Sequence, residues 1–371
     1  MINLEIIFKK RQMIKRIYIT IILASFSLIT FAGNPDRIGQ AGATQLMINP
    51  WAMSSGLGWA AQSQVRGLEA TFFNMGGLAH AKRTELGFSN TNWLVGSGVQ
   101  INSFGFAQSL GGEGVLSLTV MTMDMGEIEV TTVEQPDGGL GTISPQNTNI
   151  GIGYAKKFTK TISGGVLVRV HSEAIPNASV QGIAIDAGIQ YAESSNKDDK
   201  LKQNDIKFGI SMKNVGPDAS YSGDGVTFKA TNPDNNVQQS FLFRTADFGL
   251  PTLINIGASY DFRLDATKET YDKRLTTALN FTSNSYTRNQ LTAGLEFGYK
   301  EILMIRSGFA YEKGIFNADE RTSALTGLTA GFSLELPMNK NNENKFAVDY
   351  SYRASNPFGG SHGIGVRILI D

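Results

Sequence analysis

The sequence predicts an all-β fold: a transmembrane antiparallel β-barrel of about 14 strands, with an N-terminal hatch segment lodged inside. Three observations carry this. From Thr84 onward, segments of about ten residues alternate apolar and polar side chains, with turn residues between them. Charged residues make up only 18% of the chain, while 41 glycines and 10% aromatics suit strands and turns. A basic and then apolar leader marks the chain for export.

The leader comes first. Lys9, Lys10, Arg11, Lys15 and Arg16 precede an apolar run from Ile17 to Phe31, and Thr30-Phe31-Ala32 places small residues where a signal peptidase reads them. Residues 1–32 are therefore expected to be a signal peptide, with translation starting at Met1 or Met13. The run is too short for the roughly 20 residues of a spanning helix, and no second long apolar run follows it. Membrane insertion must then use strands.

Charge and cysteine content exclude several classes. With 33 basic and 33 acidic residues the formal net charge is zero, so no basic field exists to attract nucleic acid. The absence of cysteine removes disulfides, thiolate metal sites, a thiol nucleophile and an N-terminal lipid anchor.

Residues 33–83 do not alternate and read as a compact hatch of helical or irregular pieces. About fifty residues ahead of the first strand, with so many apolar groups, belong in the interior of a barrel too wide for side chains alone to fill. The barrel, residues 84–371, divides into strands at 84–92, 98–109, 114–128, 147–158, 161–174, 178–193, 204–215, 251–262, 273–285, 289–300, 302–313, 324–337, 344–353 and 361–371. Alternation is clean in many of them. Leu291, Ala293, Leu295, Phe297 and Tyr299 share one face, and Thr292, Gly294, Glu296, Gly298 and Lys300 the other. Ile254, Ile256, Ala258, Tyr260 and Phe262 likewise oppose Asn255, Gly257, Ser259 and Asp261.

Alternation alone would also suit a soluble sandwich. Aromatics at the ends of apolar faces (Tyr191, Tyr260, Phe262, Tyr299, Tyr311, Tyr350, Tyr352) favour an interfacial girdle instead. Small polar residues on the opposite face suit a lumen. Closure follows, because an open edge in lipid leaves backbone groups unpaired. Strand parity puts the long 129–146 and 216–250 connections outside the cell, and the final strand, from His362, resembles the signal read by the barrel-assembly machinery.

No catalytic or metal constellation emerges. His80, His171 and His362 are scattered, with His171 on a lumen-facing register, and no Ser, His and acid spacing suggests a hydrolase. Asp124, Glu127 and Asn232-Pro-Asp-Asn-Asn236 lack the alternating ligands of a calcium loop. Lys207, Lys213, Asp186, Asp261, Glu296, Arg306, Asp349 and Arg367 fall on lumen positions, where they are expected to pair with one another. The expectation is a non-enzymatic protein without cofactor or metal.

Phe73-Asn74-Met75-Gly76-Gly77-Leu78-Ala79, followed by Lys82-Arg83-Thr84 at the first strand, resembles the hatch motif of FadL-like outer-membrane barrels. Gly39-Gln-Ala-Gly-Ala43 is similar to the small-residue segment upstream of it, and Met75-Gly76 replaces the family's Pro-Ala. Asn214-Val-Gly-Pro217, Gly249-Leu-Pro-Thr-Leu253 and the closing His362-Gly-Ile-Gly365 resemble the PorV/PorQ branch. That resemblance implies an accessory of type IX protein secretion, binding cargo or a translocon partner. The wider FadL resemblance implies the alternative, uptake of hydrophobic small molecules such as a long-chain fatty acid or aromatic hydrocarbon. Phe228, Phe241, Phe243 and Phe248 of the long outer loop serve either reading, as partner or ligand contacts.

Overall fold

The computed structural model describes residues 38–194, 205–234, 236–242, 245–264, 271–338 and 344–371; the expected leader and hatch residues 33–37 lie outside them. The wall is built from β1 (Thr84–Trp93), β2 (Val99–Ser109), β3 (Val115–Asp124), β6 (Gln146–Lys157), β7 (Ile162–Ile175), β8 (Ala178–Glu193) and β9 (Ile206–Val215). It continues through β12 (Leu253–Arg263), β13 (Lys273–Asn284), β14 (Gln290–Tyr299), β15 (Leu303–Tyr311), β16 (Leu325–Pro337), β17 (Lys345–Ser355) and β18 (Ser361–Ile370). These 14 strands form one closed antiparallel barrel, each bonded to its sequence neighbours, with β18 against β1 from Thr84↔Ile370 to Asn92↔His362. Every strand edge is thereby paired, as lipid demands. No helix among the described residues is long and apolar enough to cross a membrane; the strands do so.

The barrel is inside-out relative to a soluble protein. Phe88, Ile152, Val168, Ile210, Ile256, Leu295, Ile305 and Ile364 are exposed on its outer surface, while Ser89, Arg169, Ser211, Asn255, Thr292, Glu296, Arg306 and Arg367 are buried within. The period of two assigns residues to lipid or lumen along most of the wall, and breaks at the bulge between β8 and β9, where Lys213 and Asn214 are both buried.

Two additional hairpins rise above the wall at the end where the long loops lie. β4 (Ile128–Glu129) pairs with β5 (Thr142–Ile143), and β10 (Thr227–Thr231) with β11 (Gln238–Leu242). They correct the expectation that the third strand runs from 114 to 128. It ends at Asp124, whose carboxylate accepts a hydrogen bond from the Gly126 amide at 2.9 Å, with Gly126 at φ +77°. That Asx turn diverts the chain out of the ladder before Ile128.

Residues 41–80 fill the lumen. They form short pieces only: 3₁₀ turns at Thr44–Met47, Gly58–Ser63 and Met75–His80, and single helical turns at Ala52–Ser55 and Ala70–Phe73. Trp51, Leu57, Val65, Leu68, Phe72, Phe73, Met75 and Leu78 pack with one another and with Ala107, Val115, Ala155 and Leu167 of the wall. The main apolar core of the molecule thus lies between plug and wall. Each large side chain buried there contributes about 1.5–3 kcal/mol.

Candidate functional site: a plugged lumen

The hatch motif seats the plug. Asn74 caps the turn that follows it, accepting from the Gly76 amide at 3.0 Å. Its amide nitrogen reaches the wall and donates to the Ile189 carbonyl at 3.0 Å. The two glycines lie where no side chain fits: a Cβ on Gly76 would stand 2.6 Å from the Gln190 nitrogen, and one on Gly77 2.2 Å from the Val65 carbonyl oxygen. Phe73, Leu78 and Ala79 complete the motif as buried core.

Wall residues from around the circumference hold the rest. Glu85 accepts from the amides of Leu68 (2.7 Å) and Lys82 (2.8 Å). Gln190 donates to the carbonyls of Gln62 (3.2 Å) and Val65 (3.0 Å), and Ser211 to that of Phe73 (3.0 Å). Ser63 meets Ser259 at 3.0 Å, Thr329 donates to Gly56 O at 3.1 Å, and Arg353 to Asn49 O at 3.1 Å. These groups lie on lumen positions that alternation identifies; their plug partners carry no sequence signal, because backbone carbonyls look alike in every sequence.

The lumen charges pair as expected in three cases: Lys207 with Asp261 (2.6 Å), Arg306 with Glu296 (2.5 Å) and Arg367 with Asp349 (2.6 Å). Asp186 and Lys213 depart from the expectation. Asp186 binds Arg169, two residues off its direct cross-strand partner, and accepts from the Asn214 amide at 2.7 Å. Lys213, 1% exposed, has no hydrogen-bond partner for its ammonium among the described residues; the ammonium lies 3.4 Å from the ring centroid of Phe72 and 5.2 Å from that of Trp59. The plug therefore holds this cation through aromatic faces.

Two cavities flank the plug. At the loop end, a gap of about 30 Å³ is lined by Leu46, Ile48, Pro50, Trp51, Phe72 and Met121, with Gln45, Asn149 and Arg169 among its polar groups. Beside it the lumen wall turns greasy: Ile101, Met121 and Met123 are buried, with Ile48, Trp93 and Val99 packed against them. At the opposite end, which carries the first and last residues of the wall, a chamber of about 590 Å³ is lined by charged wall residues and by Met53, Leu57 and Val65 of the plug.

Of the four outer-loop phenylalanines, Phe241 and Phe248 have side chains among the described residues. Phe248 packs at the loop's base on Ala43, Leu46 and Leu250, with its ring 5.6 Å from Tyr221. Phe228 and Phe241 oppose each other across the β10–β11 hairpin; nothing is described of the Phe228 side chain, and Phe243 lies outside the described residues. Among those residues no group of three or more acidic or histidine side chains is placed to hold a metal.

Neither a protein-family model nor a curated protein matches the sequence. Solved structures do. The toluene transporter TbuX of Ralstonia pickettii aligns with a TM-score of 0.50 at 12% identity, covering 87% of this chain and 98% of its own. The toluene transporter TodX of Pseudomonas putida gives 0.51 at 11% identity, covering 87% and 99%.

The fold is that of these toluene transporters, a closed 14-strand outer-membrane barrel.

At such identities the likeness establishes fold alone; the closed wall with its outward apolar belt is that of an outer-membrane barrel. The outward-facing apolar side chains accordingly contact lipid.

Proposed function

We propose that this FadL-like barrel admits small hydrophobic molecules across the outer membrane and performs no covalent chemistry. The observation that carries the reading is the apolar lining at the loop end. In a lumen otherwise faced by Ser, Thr, Asn and ion pairs, Val99, Ile101, Met121 and Met123 line neighbouring strands beside plug residue Ile48. A water-filled porin has no use for such a patch; a hydrophobic solute does. Methionine adapts to varied shapes, which suits a site for several small apolar molecules. The toluene transporters of the same fold support the reading. The adjoining gap admits little more than a water molecule, so passage requires the plug to shift from its seat on the wall.

The test is initial uptake of radiolabelled toluene by cells expressing the protein in a host without such a barrel. Wild type accelerates uptake, and Met121→Gln with Met123→Gln slows it severalfold at equal surface expression. Equal rates for wild type, variant and empty host would remove the proposal.

A second reading, a PorV-like accessory of type IX secretion with outer-loop partners, draws on a different observation. Val133 is 95% exposed and Phe316 81% exposed, and Ile128, Leu140, Val237 and Phe241 are also exposed across three outer loops. The comparisons favour uptake. Gene deletion separates the two: cargo retained in the periplasm supports the accessory, and loss of growth on a hydrophobic substrate with export intact supports the channel.

A further inference from the structure

We infer that the chamber at the termini end of the barrel is a binding site for a small organic anion, with a carboxylate on Arg66 and a compact apolar body against the plug. Five cations line the chamber, Arg66, Lys207, Arg274, Arg306 and Arg367, facing four carboxylates, Asp261, Glu296, Glu301 and Glu335. Four of the cations are already engaged. Lys207 holds Asp261 at 2.6 Å; Arg274 holds Glu296 at 2.8 Å and Glu301 at 2.7 Å. Arg306 binds Glu296, and Arg367 lies 2.6 Å from Asp349 and 3.1 Å from Glu335.

Arg66 is the exception. Its side chain is exposed within the chamber and makes neither a hydrogen bond nor an ion pair among the described residues. Lys207, Arg274, Lys157 and His80 stand within electrostatic range of it, and Asp261, the carboxylate nearest in effect, is committed to Lys207. A guanidinium keeps its charge at any pH a protein survives and offers a planar fork that fits a carboxylate.

The position of Arg66 is built rather than incidental. On its N-terminal side, the Val65 amide donates to Ala61 O at 2.8 Å, and the Val65 carbonyl accepts from Gln190 of the wall at 3.0 Å. On its C-terminal side the Gly67 amide donates to Gly77 O at 3.1 Å. The cation therefore projects from a pinned backbone. Met53, Leu57 and Val65 of the plug and Met304 of the wall supply apolar surface to the same chamber. Its volume of about 590 Å³ lies within the usual range of small-molecule sites. A charged wall, one uncompensated guanidinium and an apolar flank together specify an amphipathic monoanion over a neutral hydrocarbon or a bare inorganic ion.

Calorimetric titration of the full-length protein in detergent tests this with three probes: benzoate, benzyl alcohol as its neutral counterpart, and inorganic phosphate as an anion without an apolar body. Benzoate is expected to bind most tightly, and Arg66→Gln to weaken it about tenfold or more. Arg66→Lys, which keeps the charge, retains more affinity than Arg66→Gln, and heat-modifiable gel mobility confirms that both barrels are folded. Unchanged benzoate binding in Arg66→Gln, equal losses in the two variants, or equal affinity for benzyl alcohol or phosphate overturns the assignment. Toluene uptake, measured on the same variants, reports separately on the loop-end lining.

Discussion

Replacing Asn74 by alanine isolates the seating of the plug from the integrity of the barrel. The side chain contributes a cap to the Gly76 amide at 3.0 Å and a donor to the Ile189 carbonyl at 3.0 Å; a second approach, to the Ile210 carbonyl at 3.4 Å, is too long to add much. Loss of a cap costs about 1 kcal/mol and loss of one buried hydrogen bond about another 1 kcal/mol. Neither interaction belongs to the ladder of the wall, so the deficit of about 2 kcal/mol falls on the equilibrium between seated and unseated plug. It shifts that equilibrium about thirtyfold, whatever its starting value. Single-channel recording in planar bilayers reads it directly: the ratio of open to closed time in Asn74→Ala rises about thirtyfold, while heat-modifiable mobility shows an intact barrel. An unchanged ratio in a folded variant would refute the view that this residue seats the plug.

Other outcomes follow from the same geometry. Gly77→Ala drives a methyl into the Val65 carbonyl, at 2.2 Å between backbone groups that cannot swing aside, and is expected to destabilise the plug by about 1–3 kcal/mol, seen as a lower thermal transition of the purified protein. Lys213→Met removes a buried ammonium that has no hydrogen-bond partner among the described residues while keeping the bulk, and leaves thermal stability unchanged or raised. Phe72→Leu strips the ring that faces the ammonium at 3.4 Å and costs up to about 2 kcal/mol when Lys213 is present, less when it is methionine, in a double-mutant cycle. Burial, and then the 2.5 Å hydrogen bond it donates to Glu173, push Tyr221 of the outer loop up to about 12. A tyrosine pKa raised on folding stabilises fully below the unfolded value near 10, and the contribution is lost as pH rises through the folded value. Ultraviolet titration should show one tyrosine ionising near 12, and Tyr221→Phe should remove that step.

The wall was legible in the sequence because its code is local. Lipid on one side and lumen on the other impose a period of two, so Leu295 and Glu296 declare their faces without knowledge of any partner. The strand count and closure follow from that rhythm and the intolerance of lipid for open edges. The hatch motif was legible as a motif, yet its function in the fold depends on contacts distant in sequence: Asn74 with Ile189, Gly76 against Gln190, Glu85 with Leu68. Lys213 and Asp186 show the limit most plainly. Both sit on lumen positions as read, but the Asn214 amide and Arg169 occupy the carboxylate, and the plug supplies Phe72 to the ammonium instead. Arg66 carried no signal at all; its isolation emerges only once the other four cations lining the chamber are seen to be engaged.

Passage through a displaceable plug is the central claim, and the cysteine-free chain allows a clean test of it. Ser63 of the plug and Ser259 of β12 bring their hydroxyl oxygens within 3.0 Å, so Ser63→Cys with Ser259→Cys creates a single disulfide between plug and wall. With the bond formed, toluene uptake by cells carrying the double variant should fall to the rate of the empty host, and a membrane-permeant reductant should restore it. Undiminished uptake through the locked barrel would contradict the account.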